Sequence, residues 1–480
     1  MPEALVLAID QGTTGTTCLV VDALLRSRGR GYAELPQHFP RPGWVEHDAD
    51  EIWQSVLVAA EAALDSAGIA ARDLTAVGLT NQRETTVVWD RESGRPLHRA
   101  IVWQDRRTAE RCAGLPRELI RRRTGLVPDP YFSATKLEWL LDAVGRRDED
   151  VAFGTVDSWL AWKLTDGARH VVDVTNASRT LLLDVRRAVW DDELLALFGV
   201  PRHVLPEVVD SSGIVGEAGL LGSRVPLAGM AGDQQAALFG QACFAPGEAK
   251  ATFGTGAFVL ANGGDVPRGA PDGLVETIAW RLAGGSATYA LEGSIFATGA
   301  ALQWLRDELH LLDDAAESAG LAAGVESNGG VYFVPALTGL GSPHWAPEAR
   351  GLVTGLTRGV SREHLVRAAL EAVAFQTRDV LEAMCLEVDV LRADGGQSAN
   401  AFLMQFLADV TGLAVEVPTE RETTAIGAAA LAGLGVGLWS GVDELAALRR
   451  IEHRFEPGRP ADEVDRLVAG WRDALRRTLA

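Results

Sequence analysis

Lysine is the scarcest charged residue in this chain of 480 amino acids. Only three of its 45 basic residues are lysines, at positions 136, 163 and 250. A Walker A phosphate loop requires a Gly-Lys-Ser/Thr sequence, and none of the three lysines follows a glycine. The protein-kinase signature is missing too, because no Val-Ala-Ile-Lys strand is present. A nucleotide would therefore have to be held by backbone groups and a metal.

The sequence also has few basic residues relative to acidic ones and few cysteines. The 65 acidic residues outnumber the 45 basic ones, which leaves a net charge of −20. Because nucleic-acid binding depends on clustered Lys and Arg, nucleic acid is not an expected partner. The four cysteines are far apart and form no Cys-x-x-Cys pair, so we expect free thiols in a reducing cytoplasm. Residues 1–3 lack the basic start of a signal peptide, which agrees with that location.

Several common catalytic motifs are missing as well. The sequence contains no His-Glu-x-x-His, no Gly-x-Ser-x-Gly and no strict Gly-x-Gly-x-x-Gly after a strand, which disfavours zinc hydrolases, α/β-hydrolases and ordinary dinucleotide-binding proteins. One window, 423–442, carries no charge over 20 residues, the length of a membrane span. Its many Gly and Ala residues favour a helix buried on all sides instead, and no membrane span is expected.

The order of strands and helices predicts an α/β protein with two similar halves. An apolar strand at 4–9, a turn at 10–15 and a second strand at 18–21 form a hairpin, with a third strand near 31–35. The same pattern returns at 249–253, 254–256 and 257–261. Helices are predicted over 50–67, after Ser361 and after Asn400, with Gly68 and Gly412 as terminators. The length suits about three domains, or two large ones.

The candidate chemistry lies in turns rich in Gly and Thr beside aspartates. Such a turn points backbone N–H groups into one concavity that suits phosphate oxygens without lysine. Asp10 would face these phosphates and could hold Mg²⁺, although a plain hairpin turn explains the same residues. The turns at 253–256 and 394–396 favour the phosphate interpretation, since three such turns could surround one nucleotide.

Asp233 and the pair Arg83-Glu84 each allow two interpretations. Asp233 precedes an apolar helical run, where it could accept a proton from an attacking hydroxyl or simply cap the helix. The pair could bind vicinal hydroxyls or form a surface ion pair. Three aromatic residues, Trp103, Tyr131 and Phe258, could supply apolar walls or belong to the core.

Six segments resemble the glycerol kinases of the FGGY carbohydrate kinase family. They are residues 8–14 (Ala-Ile-Asp-Gln-Gly-Thr-Thr), 43–48 (Gly-Trp-Val-Glu-His-Asp), 81–86 (Asn-Gln-Arg-Glu-Thr-Thr), 175–180 (Thr-Asn-Ala-Ser-Arg-Thr), 231–240 (Ala-Gly-Asp-Gln-Gln-Ala-Ala-Leu-Phe-Gly) and 253–258 (Phe-Gly-Thr-Gly-Ala-Phe). Residues 131–139 and 351–371 resemble the wider family. The resemblance covers nearly the whole chain.

This resemblance implies two actin-like ATPase domains with RNase H-like cores, at 1–242 and 243–480, and a nucleotide cleft between them. It implies phosphorylation of glycerol to sn-glycerol 3-phosphate with ATP and Mg²⁺, with Asp233 as the base and Asp10 at the metal position. The glycerol site would comprise Arg83, Glu84, Trp103, Tyr131, Asp233, Gln234 and Phe258. The nucleotide site would comprise Thr13, Thr14, Gly15, Thr17, Thr255, Gly299, Gln303, Gly396 and Asn400. The resemblance further implies a homo-oligomer, dimer or tetramer.

Two departures from the resembled pattern stand out. Thr17 replaces an arginine beside the phosphates, so one charged contact to the nucleotide is missing. In the segment 213–224, where enteric relatives bind a sugar bisphosphate inhibitor, Arg224 is the only basic residue. Two rival functions stay open: another FGGY kinase acting on a pentulose or a gluconate-like sugar, and a non-catalytic ATP-dependent switch protein of the actin and Hsp70 superfamily.

Overall fold

A computed structural model describes residues 4–480 of the chain. Residues 1–3, which entered the argument about a signal peptide, lie outside the described part. The strands of the first half are β1 (Leu5–Gln11), β2 (Gly15–Asp22), β3 (Ser27–Glu34), β4 (Glu46–His47), β5 (Ala76–Asn81), β6 (Val87–Asp90), β7 (Ala100–Ile101), β8 (Val151–Gly154), β9 (Val171–Asp173), β10 (Leu183–Asp184), β11 (Val189–Trp190), β12 (Glu207–Val209), β13 (Ser212–Leu220) and β14 (Ser223–Gly232).

The strands of the second half are β15 (Ala249–Phe253), β16 (Ala257–Gly264), β17 (Val275–Arg281), β18 (Ala287–Ile295), β19 (Tyr332–Val334), β20 (Leu352–Thr354), β21 (Val390–Asp394), β22 (Ala414–Pro418) and β23 (Ile451–Phe455). The α-helices are α1 (Ala49–Ala67), α2 (Ala109–Ala113), α3 (Arg117–Thr124), α4 (Ser133–Val144), α5 (Val156–Leu164), α6 (Val174–Ala177), α7 (Asp192–Leu197), α8 (Asp233–Gly240), α9 (Gly299–Asp307), α10 (Glu317–Ala323), α11 (Arg362–Met384), α12 (Ala401–Thr411), α13 (Thr423–Gly435), α14 (Val442–Leu448) and α15 (Ala461–Leu479). Short 3-10 helices cover Ala71–Asp73, Arg202–Val204 and Gly396–Ala399.

The two large sheets share a core of five strands with the same order and directions, β3-β2-β1-β5-β14 and β18-β16-β15-β21-β22, and the second sheet has the additional edge strand β17. The first has the strand order β13-β14-β5-β1-β2-β3, and the second has the order β17-β18-β16-β15-β21-β22-β23. In the first sheet β1–β2 and β2–β3 are antiparallel, β1–β5 and β5–β14 are parallel, and β13–β14 is antiparallel. In the second sheet the corresponding pairs, β15–β16, β16–β18, β15–β21, β21–β22 and β22–β23, have the same directions. The predicted repeat and the α/β class with two RNase H-like cores are confirmed.

Helix α1 forms where the amphipathic pattern predicted it. The side chain of Asp48 accepts hydrogen bonds from the backbone N–H groups of Asp50 and Glu51, and the helix ends at Gly68 with φ of +69°. Its buried stripe, which includes Ile52 and Val56, joins the apolar core beneath β1, β2 and β5. The helices predicted after Ser361 and Asn400 are α11 and α12, and α12 ends at Gly412 as expected.

Helix α13 links the two halves. It occupies the first part of the uncharged window and is buried over most of its length, which confirms the prediction of a buried helix. It packs on the face of the first sheet opposite α1, and the contact needs glycine, because a Cβ on Gly78 would lie 2.2 Å from the carbonyl oxygen of Ala428. No helix within residues 4–480 is long and apolar enough to cross a membrane.

A third apolar cluster lies beside the first sheet. It gathers residues of α3, α4, β8 and α7 with Val275, Ile278 and Tyr289 from the edge of the second sheet. This packing places the loop that contains Trp103 and the start of α4, next to Tyr131, above the carboxyl ends of β1 and β5. The candidate site therefore receives residues from both sheets and from this cluster.

Candidate active site

The first glycine turn closes the hairpin of β1 and β2. The N–H of Gly12 donates to the carbonyl of Gly15 at 2.9 Å. The hydroxyl of Thr13 accepts from Nε1 of Trp103 at 2.9 Å, whereas Thr14 is exposed at the tip. Thr13 is therefore held between the hairpin and the loop of Trp103.

The second glycine turn closes the hairpin of β15 and β16 and holds two other turns. The N–H of Gly254 donates to Gly256 at 2.8 Å, and the carbonyl of Gly254 accepts from the N–H of Gly299 at 3.1 Å and from the Gln397 amide at 2.9 Å. The carbonyl of Thr255 accepts from two N–H groups at the start of α9. The second hairpin, the start of α9 and the 3-10 helix that begins at Gly396 thus form one cluster, which brings together the predicted residues Thr255, Gly299 and Gly396.

Arg83 lies at the centre of the cluster between the sheets. Its Nε faces Oδ1 of Asp233 at 3.1 Å, and its two Nη groups bind both carboxylate oxygens of Glu292, at 2.5 and 3.0 Å. The remaining N–H groups donate to Gln235 Oε1 and to the Tyr131 hydroxyl, each at 3.2 Å. The four Nη donors therefore have acceptors within the protein, and Nε forms an ion pair with Asp233. The pair Arg83-Glu84 is buried rather than a surface ion pair.

Glu84 occupies an unusual backbone conformation beside Arg83. Its φ of +63° is in the left-handed region, and the N–H of Thr85 donates back to the carbonyl of Arg83 at 2.7 Å, which closes a three-residue turn around Glu84. A non-glycine residue there costs about 1–3 kcal/mol and is typical of functional sites. The turn directs the side chains of Arg83 and Glu84 into the same cluster, where the Glu84 carboxylate binds Arg179 at 2.6 Å.

Two residues that were not predicted complete this cluster. Arg179 is fully buried and donates to Glu84 and, at 2.9 Å, to Glu292. Glu292 lies in β18 of the second sheet and bridges both arginines. Arg179 falls within the resembling segment 175–180, but nothing assigned it a role. The signal for Glu292 was a single carboxylate within the strand that also contains Leu291 and Gly293, since a charge inside a buried strand requires a partner.

The acidic groups in this cluster differ in how their pKa is shifted. Burial opposes ionisation of Glu292, but Arg179 and Arg83 outweigh it and lower its pKa to about 2. Burial raises the pKa of Glu84 in spite of Arg83 and Arg179. Burial, with the nearby charge of Glu84, also raises the pKa of Tyr131, so its hydroxyl keeps its proton. The cluster thus offers a firmly ionised carboxylate, two arginines and a phenol donor in one place.

Asp233 is the first residue of α8 rather than its N-cap, which is Gly232. Its Oδ1 accepts from the N–H of Gln234 at 2.7 Å and contacts Arg83, whereas Oδ2 has no hydrogen bond within residues 4–480. The side chain is 30% exposed. The N–H of Gly232 donates to the hydroxyl of Thr175 at 2.8 Å, which fixes the start of the helix. The free oxygen of Asp233 is thus available to a bound molecule.

The three predicted aromatic residues lie close to Arg83, because Tyr131 and Phe258 contact it and Trp103 contacts Tyr131. Trp103 and Tyr131 meet edge to face with ring centroids 5.7 Å apart. The Phe258 ring lies under the guanidinium of Arg83, at 5.7 Å from its central carbon. All three are half-buried rather than core residues. They supply apolar surface next to the guanidinium of Arg83.

Asp10 has the properties that a metal ligand would need. Burial, followed by the charges of Asp233 and Glu422, raises its pKa. No hydrogen bond or ion pair to it occurs within residues 4–480, so its negative charge is uncompensated there. A divalent cation suits an oxygen ligand of this kind. Residues 4–480 contain no group of three or more potential ligands, so most ligands of a cation here would have to come from phosphate oxygens and water.

Three other predicted site residues, Thr17, Gln303 and Asn400, and also Arg224 of the segment 213–224, lie further from this cluster or belong to other local contacts. Thr17 lies opposite Asp10 in the ladder of β1 and β2. Gln303 is exposed one turn into α9, beyond Gly299. Asn400 caps α12 by accepting from the N–H of Leu403 at 3.0 Å, and its amide donates to Ser318. In the β13–β14 hairpin, exposed Arg224 pairs with Asp166 at 2.7 Å.

A duplicated core with glycine turns at the ends of paired strands, and a polar cluster between its halves, is the architecture of the actin-like ATPases and sugar kinases. The chain matches the sequence profiles of the FGGY family of carbohydrate kinases, the N-terminal domain at residues 5–240 and the C-terminal domain at residues 249–436. It belongs to that family and is therefore a kinase, an enzyme that transfers a phosphoryl group from a nucleotide.

Relatives and solved structures refine this placement. The chain is 52% identical to glycerol kinase 2 of Thermotoga maritima, over 99% of this chain and 98% of that protein. It is 54% identical to glycerol kinase of Dechloromonas aromatica, with the same coverage. The Plasmodium falciparum glycerol kinase with ADP superimposes with a TM-score of 0.93 at 35% identity, over 100% of this chain and 99% of that chain. A xylulose kinase from Brucella ovis gives 0.84 at 27% identity, over 99% of this chain and 98% of that one.

Proposed function

We propose that this protein transfers the γ-phosphoryl group of ATP to a terminal hydroxyl of glycerol and forms sn-glycerol 3-phosphate. One observation carries the proposal: the free oxygen of Asp233 lies beside a cluster of donors and acceptors formed by Arg83, Glu84 and Tyr131. The relatives named glycerol kinase support the choice of substrate. A pocket of this composition can pair several hydroxyls of a small polyol.

Asp233 is the base in this proposal. Its Oδ1 is held by Arg83 and by the N–H of Gln234, so Oδ2 accepts the proton of the attacking hydroxyl. Because the four Nη donors of Arg83 already have protein acceptors, a substrate hydroxyl that binds there must replace one of them. A polyol that enters the site therefore takes a place in an existing hydrogen-bond network, while Phe258 and Trp103 pack on its carbon chain.

The phosphates of ATP belong between the two hairpins. Backbone N–H groups of the turns at residues 12–15 and 254–256, with the hydroxyls of Thr13, Thr14 and Thr255, suit phosphate oxygens. Gly299, Gln303, Gly396 and Asn400 would contact the rest of the nucleotide. Asp10 would hold Mg²⁺, which neutralises the developing charge on the phosphates when it is bound. Thr17 offers only a hydroxyl there, so nucleotide binding depends more on amides and metal.

Closure of the two halves should protect the reaction from water. We infer that residues 1–242 and 243–480 act as the two domains, with Glu292 from the second engaging Arg83 and Arg179 from the first. Water is a smaller nucleophile than glycerol and would otherwise hydrolyse ATP in an open cleft. All four cysteines are free thiols, which supports a reducing, cytoplasmic location.

The test is ATP turnover against a panel of glycerol, erythritol, xylulose and gluconate, measured by ADP release. The expected result is the highest kcat/KM with glycerol, and phosphorus NMR should show a product esterified at a terminal hydroxyl. Preference for xylulose or gluconate would assign the protein to another branch of the family. Equal, slow ADP release with and without every polyol would contradict the kinase proposal and favour a switch protein.

A further inference from the structure

Two fully buried lysines lie next to the candidate site, and Lys250 is the one that bonds a side chain of α8, whereas Lys136 donates to the backbone carbonyls of Pro130 and Tyr131. Lys250 lies in β15, where it pairs with Leu260 of β16 and Arg392 of β21. Successive side chains of a strand point to opposite faces, and Ala249 and Ala251 belong to the apolar core of the second half. Lys250 and Thr252 therefore point to the other face of the sheet, towards the start of α8.

The ammonium group of Lys250 binds two neutral oxygens. Its Nζ donates to Oε1 of Gln234 at 2.5 Å and to the Thr252 hydroxyl at 2.8 Å. No carboxylate of residues 4–480 lies within 4.0 Å of Nζ, although Asp394 and Asp233 are close enough to oppose the lowering of its pKa by burial, to about 8. Burying an ammonium is costly, so a lysine here needs a reason other than stability.

The contact with Gln234 determines which end of its amide faces the substrate. An ammonium group can only donate hydrogen bonds, so the amide atom that faces Lys250 must be the oxygen. The NH2 end of Gln234 then points away and has no acceptor within residues 4–480. The backbone N–H of the same residue donates to Asp233. The start of α8 thus presents an acceptor, Oδ2 of Asp233, beside a free donor.

We propose that Lys250 is a positioning residue that holds the Gln234 amide with its NH2 group towards the polyol, so that Gln234 donates to a substrate hydroxyl while Asp233 accepts from one. The inference rests on the proposed polyol site and deepens it. Because the orientation is fixed before the substrate binds, the site pairs with a hydroxyl without first turning the amide. In this proposal Lys250 affects polyol affinity through Gln234 and does not affect nucleotide affinity.

The experiment measures KM for the polyol and for ATP separately in Lys250→Met. The substitution removes the ammonium but keeps an unbranched chain. Loss of a hydrogen bond from a charged donor should raise the polyol KM about 10- to 100-fold, while the ATP KM stays within about threefold. Lys163→Met is the matched control, because Lys163 contacts Asp50 and Trp159 away from the site, and its polyol KM should equal that of the wild type.

A double-mutant cycle separates an effect through Gln234 from any other. If Lys250 acts through Gln234, Lys250→Met combined with Gln234→Ala should have the polyol KM of Gln234→Ala alone. Gln234→Glu keeps an oxygen for Lys250 but has no donor for the substrate, so its polyol KM should rise as much as that of Gln234→Ala. Additive effects in the cycle, or a raised ATP KM in Lys250→Met, would overturn the proposal.

An alternative variant and the choice of substrate complete the experiment. If Lys250→Met does not fold, Thr252→Val removes the second anchor of the ammonium, and an unchanged polyol KM in that variant would overturn the proposal. All measurements use whichever polyol the wild-type protein phosphorylates fastest. Failure of the wild type to phosphorylate glycerol would therefore count against the proposed substrate, whereas an unchanged polyol KM in the variants would count against the role of Lys250.

Discussion

Arg83 and Glu292 meet as a fork between the two sheets, with Nη1–Oε2 at 2.5 Å and Nη2–Oε1 at 3.0 Å. Both side chains are almost completely buried, and they come from opposite halves of the chain. The two parallel bonds fix the plane of the guanidinium. That plane in turn directs Nε of Arg83 to Asp233 and Nη2 to Tyr131. The position of the proposed base therefore depends on a carboxylate from the other half.

The first prediction concerns Glu292→Gln. The amide has one acceptor where the carboxylate has two, and its NH2 group would face an arginine donor. The loss of charge also leaves Arg83 and Arg179 undercompensated, and breaking a buried pair costs about 3–5 kcal/mol. We expect kcat/KM for glycerol to fall about 100-fold or more in steady-state kinetics.

A matched control exists on the neighbouring strand. Glu276 is buried in β17 and uses only Oε1, which accepts from the N–H groups of Arg268 and Gly269. Glu276→Gln keeps an oxygen for both bonds, so its kcat/KM should remain near that of the wild type. Equal kinetics in the two variants would show that the fork does not position the site.

The second prediction concerns Asp233→Asn. The amide oxygen of Asn can keep both contacts now made by Oδ1, to Arg83 and to the N–H of Gln234. Only the proton-accepting oxygen is lost, so glycerol binding should change little, while kcat should fall about 10²- to 10⁴-fold. Calorimetric binding together with single-turnover kinetics measures both quantities. A kcat near that of the wild type would remove Asp233 from the role of base.

The third prediction concerns the apolar wall. Phe258→Ala should raise the KM for glycerol more than it lowers kcat, because a wall contact is felt equally in the ground state and the transition state. A rise of about tenfold matches the loss of a modest apolar contact. Phe258→Leu keeps an apolar side chain and should show a smaller rise. A fall in kcat with an unchanged KM in Phe258→Ala would contradict this role.

The fold was predictable because its signals are local. The hairpins around residues 10–15 and 254–256, the amphipathic α1 and the buried α13 follow from period, turn chemistry and composition. The repeat of the hairpin pattern predicted two similar halves, and the two sheets share a core of five strands. The observed ends of these elements differ from the predicted ends by only a few residues. The second strand, for example, begins at Gly15 rather than at Cys18.

The partners within the site were much harder to predict. Arg179 and Glu292 are 113 residues apart and meet only because β18 of the second sheet passes the end of α6. No spacing rule contains that contact. The left-handed backbone conformation of Glu84 could not be predicted either. Glutamate has no preference for this conformation, and the contacts of the cluster impose it. Lys250 was counted but received no role, since its partner Gln234 lies on another element.

The fourth prediction concerns pH and a buried acid away from the reacting groups. Burial, followed by the charge of Asp173, raises the pKa of Asp157 to about 7. Its pKa in the unfolded chain is about 3.9, so between these values the folded protein keeps a proton that the unfolded chain has lost. This contribution to stability is complete below about pH 4 and is lost as the pH rises through 7.

Asp157→Asn stays neutral and lacks this titration. The free energy of unfolding of the wild type, relative to the variant, should therefore fall between pH 4 and 8, by up to about 1.4 kcal/mol for each unit of the shift. Asp65→Asn changes an exposed carboxylate and should show no such trend. The measurement is urea unfolding at several pH values, and parallel curves for the wild type and Asp157→Asn would contradict the raised pKa.

The last prediction concerns the contact between α13 and α8. A Cβ on Gly427 would lie 1.8 Å from the carbonyl oxygen of Ala236, a backbone atom that can yield only if a helix moves. Gly427→Ala should lower the free energy of unfolding by about 1–3 kcal/mol or more, although alanine favours helix by about 1 kcal/mol. Because Asp233 begins α8, kcat should fall as well.

Gly320 in α10 supplies the control. It has nothing within 4 Å of the position that an added methyl group would take, so Gly320→Ala should be neutral or slightly stabilising with unchanged kcat. Urea unfolding and turnover of both variants make the comparison, and equal stability of the two would show that the helices have room to separate.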